Sequence, residues 1–200
     1  MVNAVKNKAM IIILSSPSGG GKTSITKKLL EQDSNLSLSV SATTRSARPS
    51  EQEAVHYFFK SRAEFNYMIE TNQFLESTEI YGNAYGTPGQ HVEKALAEGL
   101  DVLFDIDSQG AYQIIKKMQD RVVSIFIMPP DIDILRTRLE ARSQDSQDII
   151  DWRIKLAREE ITHAKNYNYI VVNDDFNQAV QEIQNIISNE RNKRNSDEKA

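Results

Sequence analysis

The sequence predicts an α/β fold built on a doubly wound parallel sheet, and three observations predict it. Short dense apolar runs, of the kind buried on both faces of a sheet, recur at Val102 to Ile106, Val122 to Met128 and Tyr169 to Val172. Helical patterns separate them, so the order reads as βα repeated. The first run, from Ile11, passes straight into a Gly-rich turn closed by Lys22-Thr23, the strand–loop–helix order of a phosphate-binding loop.

The elements follow in order. In IIILSSPSGGGKT the glycines at 19, 20 and 21 let main-chain N–H groups curl around an anion, and the next helix adds its positive end. Lys22 is placed to reach the β- and γ-phosphates of a nucleoside triphosphate, and the Thr23 hydroxyl to sit on Mg²⁺. The whole loop, Ser16, Pro17, Ser18, Gly19, Gly20, Gly21, Lys22 and Thr23, is therefore the candidate nucleoside-triphosphate site. Ser16 stands where the usual pattern has its first glycine. Ser24 to Gln32 reads as a helix with Ile25 and Leu29 on one face, and Leu36, Leu38 and Val40 alternate as in a strand. Pro129-Pro130 stops the run that ends at Met128, and charged helices follow at about Ile132 to Arg142 and Asp148 to Lys165. An amphipathic helix closes the fold at Phe176 to Ser188. Residues 189–200 are polar throughout and are expected to fray.

Composition limits the functions to consider. With 40% hydrophobic and 26% charged residues, the chain is an ordinary globule of one domain. Met10 to Leu14 is too short for a signal-peptide core or a membrane span, so no membrane association is expected. The absence of cysteine excludes a disulfide framework and fits a reducing cytoplasm. A net charge of −4 argues against a broad nucleic-acid surface. His56, His91 and His163 lack metal-ligand spacing and receive no role.

Between Val40 and Val102 the texture changes to hydroxyls, Arg, Tyr and Gly, which marks an insertion and not a βα unit. It carries the segments SATTRSARPSE, HYFF, FLES and YGNAYGTP. In this order behind such a loop, and with LFDIDSQG, RLEAR and VVNDD further on, the chain resembles the guanylate kinases from about Met10 to about Ser188. The resemblance implies a P-loop kinase with a core at about 10–40, 100–132 and 160–190, a GMP-binding insertion at about 41–95 and a helical lid at about 133–158. It also implies transfer of the γ-phosphoryl group of ATP to GMP with Mg²⁺.

The residues make chemical sense for that task. Guanine offers an acceptor at O6 and donors at N1 and N2, so its site needs a donor beside a carboxylate; Ser41 and Glu76 can supply them, whereas adenine would turn a lone pair toward Glu76. By resemblance, Arg45, Arg48, Tyr57 and Tyr85 hold the GMP phosphate, Thr87 adds to the base pocket and Asn173 lies near adenine. Taken singly, Tyr57 also reads as a packed strand residue, Glu76 as an exposed strand carboxylate, and Arg45 and Arg48 as a solvated turn. Asp105 and Asp107 end a buried strand where open α/β sheets place ligands; the resemblance implies that this segment contacts the GMP side and the water shell of Mg²⁺, with Asp107 preferred and Asp105 second, and helix capping by Asp107 or Ser108 is the alternative.

Arg138 and Arg142 share a helix face, and Arg153 opens the next helix beyond the polar turn SQDSQD, which makes a hinged, cationic lid. By resemblance these three contact phosphates, while Arg136 and Arg158 are surface residues. A phosphate acceptor is already ionised near neutral pH, so no general base is needed; Lys22, Arg45, Arg138, Arg142, Arg153 and Mg²⁺ share catalysis by alignment and charge. A regulatory GTPase would need an Asn-Lys-x-Asp signature, and the nearest string, Asn192 to Asn195, sits in the polar tail. A catalytically inactive guanylate-kinase-like module that binds phosphopeptides is the remaining alternative, against which the intact loop and lid stand. The oligomeric state is not legible.

Overall fold

A computed structural model describes residues 9–80, 82–141 and 146–197. The elements in chain order are β1 (Ile11–Ser15), α1 (Lys22–Gln32), β2 (Leu36–Leu38), β3 (Ala42–Thr43), β4 (Phe58–Phe59), α2 (Arg62–Glu70), β5 (Phe74–Ile80), β6 (Asn83–Pro88), α3 (Gly89–Ala97), β7 (Asp101–Asp105), α4 (Ser108–Met118), β8 (Val122–Met128), α5 (Ile132–Ala141), α6 (Gln147–Thr162), β9 (Tyr169–Val172) and α7 (Phe176–Asp197).

Five strands form a parallel sheet in the order β2-β7-β1-β8-β9. Its alternation explains the two layers of helices. Ile11, Ile13, Val102 and Phe104 pack with Val92 and Ala95 of α3 and Ala111 and Ile114 of α4. Ile12, Leu14, Leu103 and Ile125 pack on the other face with Ile25 and Leu29 of α1 and Ile183 and Ile187 of α7. The central strand β1 lies between β7 and β8, so the chain crosses over after it, and the loop leaving β1 meets the end of β7 at the switch point where such sheets bind ligands.

A second sheet, β4-β3-β6-β5, spans the stretch of different texture around a small core of Ala42, Phe65 and Ala84. The helices α5 and α6 pair through a separate cluster, Leu135, Leu139, Ile150, Ile154 and Ala157.

Two expectations need correction. The strand read to Val40 ends at Leu38, because the chain leaves the main sheet there to enter β3 at Ala42. The polar tail does not fray at 189: α7 continues to Asp197. Arg191 bridges Asp33 (Nη1 to Oδ2, 2.7 Å) and Asp101 (Nε to Oδ2, 2.6 Å), and Arg194 donates to the Asp120 carbonyl at 3.0 Å. Ion pairs with distant elements replace the apolar anchoring that the tail lacks. Residues 198–200 lie outside the described residues.

Candidate active site

The phosphate loop is shaped by two left-handed glycines and two short hydrogen bonds. Gly19 and Gly21 have φ of +89° and +96°, a conformation that residues with a Cβ rarely adopt. Ser16 has no left-handed backbone, and its Oγ donates to the Pro17 carbonyl at 3.1 Å. A Cβ on Gly20 would lie 2.9 Å from Ser16 Cβ, so the serine in place of the first glycine is accommodated by the glycine four residues on. Asn173, buried at 4% exposure after β9, donates from Nδ2 to the Gly20 carbonyl at 2.8 Å and closes the loop from behind.

Lys22 begins α1 and turns its ammonium onto the Asp105 carboxylate at the end of β7, with a second hydrogen bond to the Ile106 carbonyl at 3.3 Å. The Thr23 side chain is exposed beside it. Asp107 takes the capping role: its Oδ1 accepts from the Gln109 and Gly110 N–H groups at 2.8 Å each, and its Oδ2 accepts from the Thr78 hydroxyl at 3.2 Å. The charge partner of the loop lysine is thus Asp105, two residues before the preferred carboxylate.

The second sheet brings the candidate base-binding groups together. Glu76 on β5 lies opposite Thr87 on β6, and Thr87 Oγ1 donates to Glu76 Oε1 at 2.8 Å. Ser41 Oγ stands 3.4 Å from Thr87 Oγ1. Glu76 is 3% exposed, far from the exposed strand carboxylate it could have been. Burial, helped by the nearby Asp107 charge, pushes its carboxyl up to about 7, while Thr87 and Lys117 pull it partway back. No cation is hydrogen-bonded to it among the described residues.

Beside it, Arg45 lies over the Tyr57 ring, 5.4 Å from guanidinium carbon to centroid, and the rings of Tyr57 and Tyr85 meet edge-on at 6.1 Å. Burial pushes the Tyr57 phenol up. The Arg48 side chain is exposed at the rim. Glu51, which sequence reasoning gave no role, holds Arg45 with both oxygens, at 2.8 and 3.0 Å from Nη2, and accepts the Arg48 N–H at 2.8 Å. The signal was its place in the segment SATTRSARPSE, six residues after Arg45.

The helix pair α5–α6 reaches the same mouth. Arg138 Nη2 donates to the Asn173 carbonyl at 2.9 Å, and its Nη1 is buried without a hydrogen-bond partner among the described residues. Arg153 Nη1 donates to Ser18 Oγ at 3.3 Å, linking α6 to the phosphate loop. Arg136 pairs with Asp151 between the two helices, as befits a surface residue. Arg142 lies outside the described residues. A second residue missed in the sequence is Glu160 of α6: burial and the Asp107 charge push it up to about 7, with Lys22 and the Ser18 N–H acting the other way. Nothing in the run of carboxylates along α6 singles it out.

The model of the guanylate kinase family matches residues 8–190. A guanylate kinase of Rickettsia bellii is 54% identical over 190 residues, 95% of this chain and 99% of that protein. One from Rhizobium etli is 48% identical over 95% of this chain and 86% of its own. A crystal structure of guanylate kinase from Anaplasma phagocytophilum superposes with a TM-score of 0.78 at 38% identity, covering 92% of this chain and 87% of that one. With a phosphate loop, a buried carboxylate pocket and a cationic helix pair meeting at one mouth, and with relatives at this identity over nearly its whole length, the chain belongs to the guanylate kinase family.

Proposed function

We propose that the protein transfers the γ-phosphoryl group of ATP to GMP, with the roles divided among the three groups described above. The observation that carries the reading is Glu76: a carboxylate buried in a polar pocket with Thr87 on one oxygen and Ser41 close by, next to an arginine–tyrosine cluster suited to a phosphate dianion. Guanine N1–H and N2–H donate to Glu76, and Ser41 donates to O6. Arg45, braced by Glu51, takes the GMP phosphate together with Arg48, Tyr57 and Tyr85.

Asn173 fixes the loop whose N–H groups hold the ATP phosphates, and its neighbourhood receives the adenine. Lys22 leaves Asp105 for the β- and γ-phosphates as donor phosphates enter. Arg138 and Arg153 then approach the transferring group; the open Nη1 of Arg138 is available for it, and the family resemblance assigns Arg142 the same task. Closure excludes water, and alignment with positive charge lowers the barrier without a general base.

The donor set fits Mg²⁺. No group of three or more His, Cys, Asp or Glu among the described residues is placed to hold a metal, which suits an ion that keeps its waters and takes most other ligands from substrate phosphates. Thr23 and, through water, Asp107 would hold it, and when bound it screens charge on the β- and γ-phosphates. Among the described residues no helix is long and apolar enough to cross a membrane. ADP formation measured with and without GMP tests the proposal: ADP should appear only with GMP, and GMP-independent or absent turnover would contradict it.

A further inference from the structure

Gly110 sits buried in the first turn of α4, directly behind Glu76. Its backbone is not left-handed, so conformational freedom is not the reason for a glycine here. Space is. A Cβ at this position would lie 2.7 Å from Glu76 Oε2, closer than real Cβ atoms approach, and 3.1 Å from Glu76 Cδ, tighter than most do.

Neither the helix nor the strand can step back to make room. Ser77 N–H donates to Gln113 Oε1 at 3.2 Å while Gln113 Nε2 donates to the Ser77 carbonyl at 2.9 Å. Thr78 donates to Asp107, and Lys117 donates to the Leu75 carbonyl. Asp107, Gly110, Gln113 and Lys117 recur at helical spacing, so one face of α4 grips β5 along its length. The other carboxylate oxygen is held by Thr87. Added volume at 110 must therefore displace the carboxylate itself.

We propose that Gly110 is a positioning residue for base selection: the empty space behind it sets how far the Glu76 carboxylate reaches toward the N1 and N2 edge of guanine. This rests on the assignment of Glu76 to guanine. Because alanine favours a helix more than glycine does, a loss in Gly110→Ala cannot be ascribed to a weakened α4.

The test is steady-state kinetics of wild type, Gly110→Ala, Glu76→Ala and the double variant with GMP and with IMP, which lacks the 2-amino group, alongside thermal unfolding. Gly110→Ala should lower kcat/KM for GMP by about tenfold or more, mainly through KM, with KM for ATP little changed and a smaller GMP-over-IMP preference. Added to Glu76→Ala, the same substitution should change GMP kinetics by less than about twofold, since no carboxylate remains to be moved. Equal losses in both backgrounds, or an unchanged GMP-over-IMP preference, would overturn the proposal. If Gly110→Ala alone does not fold, recovery of folding in the double variant supports the clash with Glu76, and failure in both overturns it. A wild-type GMP-over-IMP preference that survives Glu76→Ala would instead reject the assignment of Glu76, whatever Gly110 does.

Discussion

The Lys22 ammonium is paired with the Asp105 carboxylate across the switch point of the sheet, joining the start of α1 to the end of β7. On the proposed mechanism a donor phosphate competes with this carboxylate for the loop's cation. Lys22→Ala should reduce turnover on the order of 10³-fold, because a charge meant for the transferring group is lost in a water-excluded site. The fold should persist, as read by circular dichroism. Near-normal turnover would mean that the loop does not hold the donor.

Ser16 and Gly20 are matched by size. Ser16→Gly should leave KM for ATP within a few-fold, since Ser16 carries no backbone strain. Gly20→Ala should impair ATP binding severely, because its Cβ would meet Ser16 Cβ at 2.9 Å and the Pro17 carbonyl at 3.0 Å. Adding Ser16→Gly to Gly20→Ala should restore part of the loss, and titration with a fluorescent ATP analogue reads all three. A Gly20→Ala protein with normal affinity would show that the loop yields freely.

Glu76 makes a pH prediction with a definite sign. Its carboxyl is raised by burial from 4.5 to about 7, so its contribution to ligand-free stability is fully present below about pH 4.5 and is lost as pH rises through 7. A shift of that size is worth about 3 kcal/mol. Glu160, also raised to about 7, adds in the same direction. The ligand-free Glu76→Gln variant should therefore melt above the wild type at pH 8 and close to it at pH 5, a stability gain set against lost function. Identical pH profiles of Tm in the two proteins would show that Glu76 is ionised without penalty.

The arginines of the helix pair should act on the chemical step. Arg153→Ala is expected to lower kcat by at least about tenfold with a smaller change in KM for GMP, the pattern of a contact strengthened in the transition state. Arg138→Ala should add a loss in ATP affinity, because it also frees the Asn173 carbonyl that it now holds. A pure KM effect for Arg153→Ala would place that arginine in ground-state binding.

What could be read in the sequence was local. The apolar strands, the Gly-rich turn and the Pro129-Pro130 stop each carry their signal within a few residues, and the sheet followed from them. The partners that brace the site were not legible, because they depend on distance in space. Glu51 looks like any carboxylate in a polar turn until Arg45 is seen between its oxygens. Glu160 stands in a helix rich in charge, and only its approach to Ser18 and Lys22 sets it apart from Glu159. The extension of α7 rests on Arg191, whose anchors Asp33 and Asp101 are 158 and 90 residues away. Asp107 could be read as ligand or cap, and the structure gives it the cap while Asp105 meets the lysine.

The central claim, that Glu76 selects guanine, is tested most directly by kcat/KM for GMP and AMP in wild type and Glu76→Gln. A buried carboxylate left facing the N1 lone pair of adenine should give the wild type a preference for GMP of about 10⁴. Glu76→Gln should cut use of GMP strongly and narrow that gap. Equal use of GMP and AMP by the wild type, or a preference untouched in Glu76→Gln, would contradict the account.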